Sequence, residues 1–295
     1  MRNLSQNMMA ILLIGSACVV AETTPRSSLQ LLSEPIGGRG AALSGALSAV
    51  TDDQSAIHAN PALVSLLASK DFVLAHHSTI AGIRQLQSGW AYGTGRVGIG
   101  LSLGINTAGG FETRTGPTSS PIGTFNLFEL NAAMNYGQRI TPSLSGGLTA
   151  RFLHEDLEAD RASGFGLDAG LAYTPTNSQV TFGGSILNLG KMEALDQVAS
   201  PLPREIRIGA ALNHDRFLLS SDVRFPRFGS TGVLVGGEFT PFPVLTVRAG
   251  YQTGHDTRSV SYGVGLKRKN WRIDYAFVPS DLGLEDSHRV SIGIR

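Results

Sequence analysis

The residues best placed to act as a group are Asp52-Asp53 and, a few positions on, Asn60-Pro61-Ala62. Short carboxylate and amide side chains at such spacing cap helix ends and bind turns of backbone. Carboxylates also pair with arginines. That chemistry is hydrogen bonding and ion pairing rather than bond making. His76-His77-Ser78 sets a base beside a hydroxyl, the pairing that activates a nucleophile. Neighbouring residues of a strand point to opposite faces, so the two histidines do not serve one site. Gly98-Ile-Gly-Leu-Ser-Leu-Gly104 and Gly164-Phe-Gly-Leu-Asp-Ala-Gly170 have the wrong spacing for a dinucleotide fingerprint, and neither opens a helix. With no Walker lysine loop, paired cysteines or metal-spaced histidines, the sequence assigns no catalytic residue, cofactor site or metal site. The candidate residues are Asp52, Asp53, Asn60, Pro61 and Ala62. They are expected to lock or gate a segment against arginines such as Arg207 or Arg248, or to touch a ligand.

The elements that carry these residues follow from composition and period. Charged residues make up 16% of the chain and glycine accounts for 36 of 295 residues; an average soluble protein has about 25% charged residues. Such a chain must place much apolar surface somewhere other than water. A net charge of +1 gives no reason to expect nucleic acid as a partner. Arg2 precedes an apolar run from Met8 to Val20, and Val19-Val20-Ala21 offers small residues for cleavage. Residues 1–21 therefore read as a signal peptide, too short to span a bilayer. Cys18 lies inside it, and Gly15 stands where a lipoprotein signal needs a Leu-like residue. After Ala21 no apolar run reaches the roughly 18 residues of a membrane helix, which leaves a closed barrel as the remaining membrane structure.

Residues 22–70 form a second unit. In Gly40–Val50 the positions Leu43, Ala46, Leu47 and Val50 fall at helical spacing, and Pro61 opens a short helix expected to run through Ser69. The segment is too small for a core of its own and needs a larger body to pack into.

From 71 to 295 the period is two. Val97, Ile99, Leu101, Leu103 and Ile105 share one face, opposite Gly98, Gly100, Ser102 and Gly104. The pattern repeats in about 14 candidate strands, among them 97–105, 126–136, 143–153, 164–173 and 179–188. Their connections alternate long and short, as transmembrane barrels do; the longest are 106–125 and 189–204. The opposite face carries Glu129, Arg151, Asp168, Glu205, Arg207, Asp222, Arg224, Glu238, Arg248, Lys267, Arg272 and Asp274. Facing lipid at mid-depth, each Arg or Lys would cost about 2–4 kcal/mol, so these residues belong in a lumen. The expected fold is all-β: an antiparallel transmembrane barrel of about 14 strands with a small N-terminal helical plug. A soluble β-sandwich would bury the apolar face instead.

Three stretches together carry a family resemblance. Pro35-Ile-Gly-Gly-Arg-Gly-Ala-Ala-Leu-Ser-Gly-Ala46, with Asp52-Asp53 and Asn60-Pro61-Ala62-Leu63, resembles the plug signature of the PorV/PorQ outer-membrane proteins. Leu187-Asn-Leu-Gly190 with Leu202-Pro-Arg-Glu-Ile-Arg-Ile-Gly209 resembles their mid-barrel pattern. Val247-Arg-Ala-Gly-Tyr251, Ile273-Asp-Tyr-Ala-Phe-Val-Pro279 and His288-Arg-Val-Ser-Ile292 resemble their C-terminal end. One departure is the final Ile294-Arg295, where many outer-membrane barrels carry an aromatic residue. The resemblance implies a FadL-like, 14-stranded barrel with an N-terminal hatch, in the cell outer membrane, without enzymatic activity. Its implied work is binding or export linked to type IX secretion, with outer-membrane lipid, secreted protein cargo or a secretion translocon as partners. The alternatives are a FadL-like transporter of hydrophobic small molecules and a purely structural barrel. The 106–125 segment has only Phe111, Ile122 and Phe125 as bulky apolar residues, which favours binding over lipid capture.

This reading predicts that the mature chain fractionates with the outer membrane and shifts its gel mobility on heating. Recovery as a soluble periplasmic protein without detergent would overturn it.

Overall fold

Alternation of apolar and small or polar residues makes each strand two-faced, and a two-faced sheet in lipid has to close on itself. The computed structural model describes residues 29–295 apart from 79–81, 115, 117–119, 158–159, 196–197 and 282–284. The expected signal peptide, 1–21, lies outside the described residues. The wall begins with β1 (Lys70–Ser78), β2 (Arg84–Gly93), β3 (Val97–Thr113), β4 (Gly123–Arg139), β5 (Leu144–Leu157), β6 (Asp160–Tyr173) and β7 (Val180–Leu195). A short β8 (Val198–Pro201) folds back on β7. The wall continues through β9 (Glu205–His214), β10 (Phe217–Pro226), β11 (Gly232–Phe242) and β12 (Leu245–Gln252). It ends with β13 (Val260–Arg268), β14 (Trp271–Val278) and β15 (Ser287–Ile294).

Neighbours pair antiparallel in chain order, β7 bridges from β6 to β9, and β15 returns to β1. Fourteen wall strands therefore close into one barrel, with no edge left unpaired. The outer face carries a belt of exposed large apolar side chains, among them Leu74, Ile99, Leu101, Leu167, Ile208 and Leu219. The sandwich alternative is thereby removed: the sheet is a single ring and its apolar face points outward. No helix of the described residues is long and apolar enough to cross a membrane.

The connections 94–96, 140–143, 174–179, 215–216, 243–244 and 269–270 lie at one end of the barrel, with the start of β1 and Arg295. The opposite end differs from expectation. The stretches 106–125 and 189–204, expected as loops, are largely paired backbone. β3 and β4 stay paired out to Thr113↔Gly123, across a register shift between Ala108 and Phe111, and β5 and β6 out to Leu157↔Asp160. Phe111 and Phe125 stack across the arm at 5.3 Å between ring centroids. The apolar alternation stops at Ile105 because the need for an apolar outer face stops there; backbone pairing has no such limit.

Residues 29–69 fill the lumen. A 3-10 turn at Gln30–Ser33 leads to helix α1 (Gly37–Ala42), and two further 3-10 turns span Gln54–His58 and Pro61–Leu66. The helix expected over Gly40–Val50 is not there: α1 ends at Ala42, and Ser44 and Gly45 follow in left-handed conformation (φ 52° and 77°). Leu43, Leu47 and Val50 are buried all the same, against Ala172, Ala211 and Leu218 of the wall. Their spacing reflects a compact coil with apolar neighbours on every side. The turn after Asn60 forms with Pro61 in its first turn and stops at Leu66.

Small wall residues make this fit possible. A Cβ on Gly147 of β5 would lie 2.5 Å from the Pro61 carbonyl and the Ala62 nitrogen, and one on Gly183 of β7 would strike the Ser48 carbonyl. The two faces predict opposite failures. Leu101→Arg, in the exposed apolar outer belt, should cost folding in lipid about 2–4 kcal/mol. Gly147→Val should leave insertion intact but dislodge the plug, raising single-channel conductance. Equal insertion of Leu101→Arg and wild type, or an unchanged conductance for Gly147→Val, would remove the assigned faces.

Candidate functional site

Arg39, the single charge in the apolar and glycine-rich stretch 36–50, organises the lumen. Arg39 sits on α1, buried, in a position where an unpaired charge is not tolerated. Its guanidinium forks onto Glu238 of β11, with Nη2 donating to Oε2 at 3.1 Å and Nε to Oε1. Nη1 reaches Asp53 at 2.9 Å and Asp52 at 3.0 Å. Charges of alternating sign extend from both sides. Arg248 of β12 bonds Glu238 at 3.0 Å and Asp274 of β14 at 2.7 Å. Arg272 of β14 pairs with Asp53 at 3.4 Å and with Asp71 of β1 at 3.1 Å, and Arg295 reaches Asp71 at 3.0 Å. Burial would raise the Asp53 carboxyl, but Arg272 and Arg39, with the hydrogen bonds from Ser55, outweigh it and hold the group below the usual carboxylate range. Burial likewise opposes the charge on Arg39, and Asp52, Glu238 and Asp53 more than restore it.

Asp53 also caps the turn it precedes, accepting from Ser55 N and Oγ at 2.7 Å each. Asn60 caps the next turn through Ala62 N at 3.1 Å. Its Nδ2 donates to the carbonyls of Ser48 in the plug and Leu171 in β6, at 2.8 and 2.9 Å. The Pro61 carbonyl accepts from Asn135 of β4 at 3.4 Å. Asp52, half exposed, is the loosest of the five. The structure thus joins Asp52 and Asp53 in one network and Asn60, Pro61 and Ala62 in another. The arginine that meets Asp53 from the wall is Arg272, not Arg207 or Arg248. Arg207 pairs with Glu205 and donates to the plug's Gly45 carbonyl at 3.1 Å.

Sequence reasoning missed Arg39, although a single charge within Ile36–Val50 is itself a signal. It also missed Asp222 of β10 as a clamp: one carboxylate oxygen accepts from Leu47 N, Ser48 N and Ser48 Oγ at 3.1, 3.0 and 2.6 Å. A third tether, at the far end of the plug, is Glu34, held by Arg258 and by Arg289 of β15. Burial works against its charge, but those two arginines hold its carboxyl well below the usual range. His77 of β1 faces the lumen and bonds Gln85 and Ser287, while His76 faces out, so the pair is divided between two environments.

The plug separates two vestibules. At the short-turn end a cavity of about 310 Å³ is lined by charges including Arg39, Asp52, Lys267 and Arg295. At the other end, cavities of about 410 and 270 Å³ flank Glu34 and Arg258. Between them lies a space of only about 30 Å³, bordered by Arg207 and Arg289. Beside the long-arm mouth, Leu29 and Leu32 of the plug pack on Leu153, Ala162, Met192 and Leu202.

Comparison with solved structures places this geometry. The Pseudomonas putida toluene transporter TodX is similar at a TM-score of 0.66 and 14% identity, covering 88% of this chain and 97% of that one. The monoaromatic hydrocarbon channel CymD gives 0.66 at 11% identity, with 88% and 97% covered. A Pseudomonas aeruginosa FadL homologue gives 0.61 at 11%, with 87% and 97% covered. The fold is that of the FadL-like barrels. Residues 16–146 match the model of the uncharacterised protein family UPF0164, under half of the chain. No curated protein matches the sequence. The PorV/PorQ resemblance is carried by its sequence motifs alone.

The network predicts that Arg39→Ala, which leaves Glu238 to Arg248 alone and Asp53 to the longer Arg272 contact, costs plug docking about 1.5–3 kcal/mol. Asp52→Asn, at an exposed carboxylate, should cost less than about 1 kcal/mol. Both are read as plug-open conductance in planar bilayers; equal effects would remove Arg39 as the hub. The carboxyls of Asp53 and Glu34 are held below their ordinary values of about 3.9 and 4.3, so their contribution is complete above that range and is lost as pH falls through the lowered values. The plug should therefore stay docked from pH 8 to 5 and loosen only on acidification below about pH 4, read as conductance in planar bilayers.

Proposed function

We propose that this protein is an outer-membrane channel for small apolar molecules, in which the plug closes the path between two vestibules. The observation that carries this reading is the apolar nest at the long-arm mouth, where Leu29 and Leu32 of the plug occupy a surface made by Leu153, Met192 and Leu202. A small apolar solute competing for that surface loses contact with water and loosens the end of the plug in one event. The likeness in fold to a toluene transporter and a monoaromatic hydrocarbon channel, over nearly the whole of each, supports the same solute class. Passage of this kind requires no bond chemistry from the protein, and the outer belt supplies the contact with membrane lipid. Secretion-linked cargo binding, which the PorV/PorQ resemblance implies, has the long strand arms as a holding surface but no counterpart to the apolar nest.

Titration of the full chain in detergent with toluene and ethylbenzene, followed calorimetrically, tests the proposal. Saturable binding is expected. Met192→Asp should weaken it at least about tenfold, which corresponds to 1.4 kcal/mol, while Met192→Leu should retain it. Absence of saturable binding by the wild type, or equal binding by the Asp and Leu variants, would overturn the assignment.

A further inference from the structure

The plug tethers leave one group of lumen charges unused. On three adjacent strands, Asn106 of β3, Glu129 of β4 and Glu155 of β5 lie directly opposite one another in register. Asn131, two residues beyond Glu129, faces the same way and is 5% exposed. Asn106 is 8% exposed, and Glu129 and Glu155 are each 7% exposed. Directly opposed residues of antiparallel strands have Cβ atoms about 4.5–5.5 Å apart, and like charges there repel. Every other buried carboxylate described above has an arginine or a set of backbone donors. Among the described residues no Lys, Arg or His forms an ion pair with either glutamate. Glu129 receives one hydrogen bond, from Asn106 Nδ2 to Oε2 at 2.8 Å.

A second feature points to what compensates them. Asn106 Oδ1, Asn131 Oδ1 and Glu155 Oε2 are all buried oxygens without a hydrogen-bond donor. An amide that gives its nitrogen to a carboxylate and leaves its own buried oxygen without a donor is arranged for a positive ligand. Buried acceptors of this kind cost about 1–3 kcal/mol each when nothing meets them.

We propose that Glu129, Glu155, Asn106 and Asn131 form a calcium-binding site on the lumen wall. Two carboxylates balance the charge of a divalent cation. Together with two amide carbonyls they supply hard oxygen donors of the kind calcium takes, about six to eight in number, with water completing the shell. Calcium tolerates the irregular spacing of donors on neighbouring strands, whereas magnesium demands a tighter octahedron and keeps most of its water. Access comes from the long-arm end: Asn106 also lines the cavity of about 270 Å³ bounded by His77, Gln85 and Leu31. The bound ion would tie β3, β4 and β5 together at the base of the long arms, next to the apolar nest that includes Leu153 of β5.

The test uses the full chain in detergent, stripped with EGTA and titrated calorimetrically with calcium chloride at neutral pH and physiological salt. One equivalent of calcium should bind saturably, raise the thermal midpoint, and bind at least tenfold more tightly than magnesium. Glu155→Gln and Glu129→Gln should each weaken binding at least tenfold. Asn131→Asp, which adds a charged oxygen, should preserve or tighten it and so controls for damage to the fold. No saturable uptake by the wild type would overturn the site, showing that a shared proton or water satisfies the pair. Uptake unchanged in both glutamine variants would overturn it equally.

Discussion

The burial of Arg39 is the constraint on which the rest of the lumen depends. A guanidinium taken from water costs several kcal/mol unless its donors are met, and here they are met from two sources. The plug supplies Asp52 and Asp53, and the wall supplies Glu238. Removed from the lumen, the plug would expose an apolar segment with no core, and Glu238 would keep Arg248 alone as its partner. Specificity of docking comes from this exchange of charge, while much of the driving force comes from Leu43, Leu47, Val50 and Leu63 meeting the wall.

The outer face and the plug inside impose different demands on one strand, and the two-residue period satisfies both. Outward positions carry the belt of large apolar side chains, as at Leu101, Leu167 and Ile208. Inward positions include small residues, as at Gly147 and Gly183 where plug backbone passes, charged ones, as at Glu238 and Arg248 where it is tethered, and a few large apolar ones such as Leu153 and Leu218 that pack on it. Charges line the vestibules at both ends, and the apolar nest lies beside the long-arm mouth.

Much of this was legible in the sequence, for a local reason. The strand positions, their two faces, the strand number and the lumen side of Glu238, Arg248 and Asp274 all follow from alternation, which is a property of neighbouring residues. The capping of turns by Asp53 and Asn60 is equally local. Where alternation was not required, legibility failed: the arms beyond Ile105 pair through backbone groups that every residue carries, so polar residues there read as loop.

By itself the sequence determined which face of each strand points outward and which into the lumen, because a charge or an apolar side chain has a preferred solvent whatever its partner. Only the tertiary structure decided the partners. That Arg39 meets Glu238, that Arg272 rather than Arg207 meets Asp53, and that Asn106, Glu129 and Glu155 fall in one row each depend on strand register and on the path of the plug. The helical spacing of Leu43, Leu47 and Val50 misled for the same reason. Enclosed on all sides, that segment buries its apolar residues without needing the single face that a helix would provide.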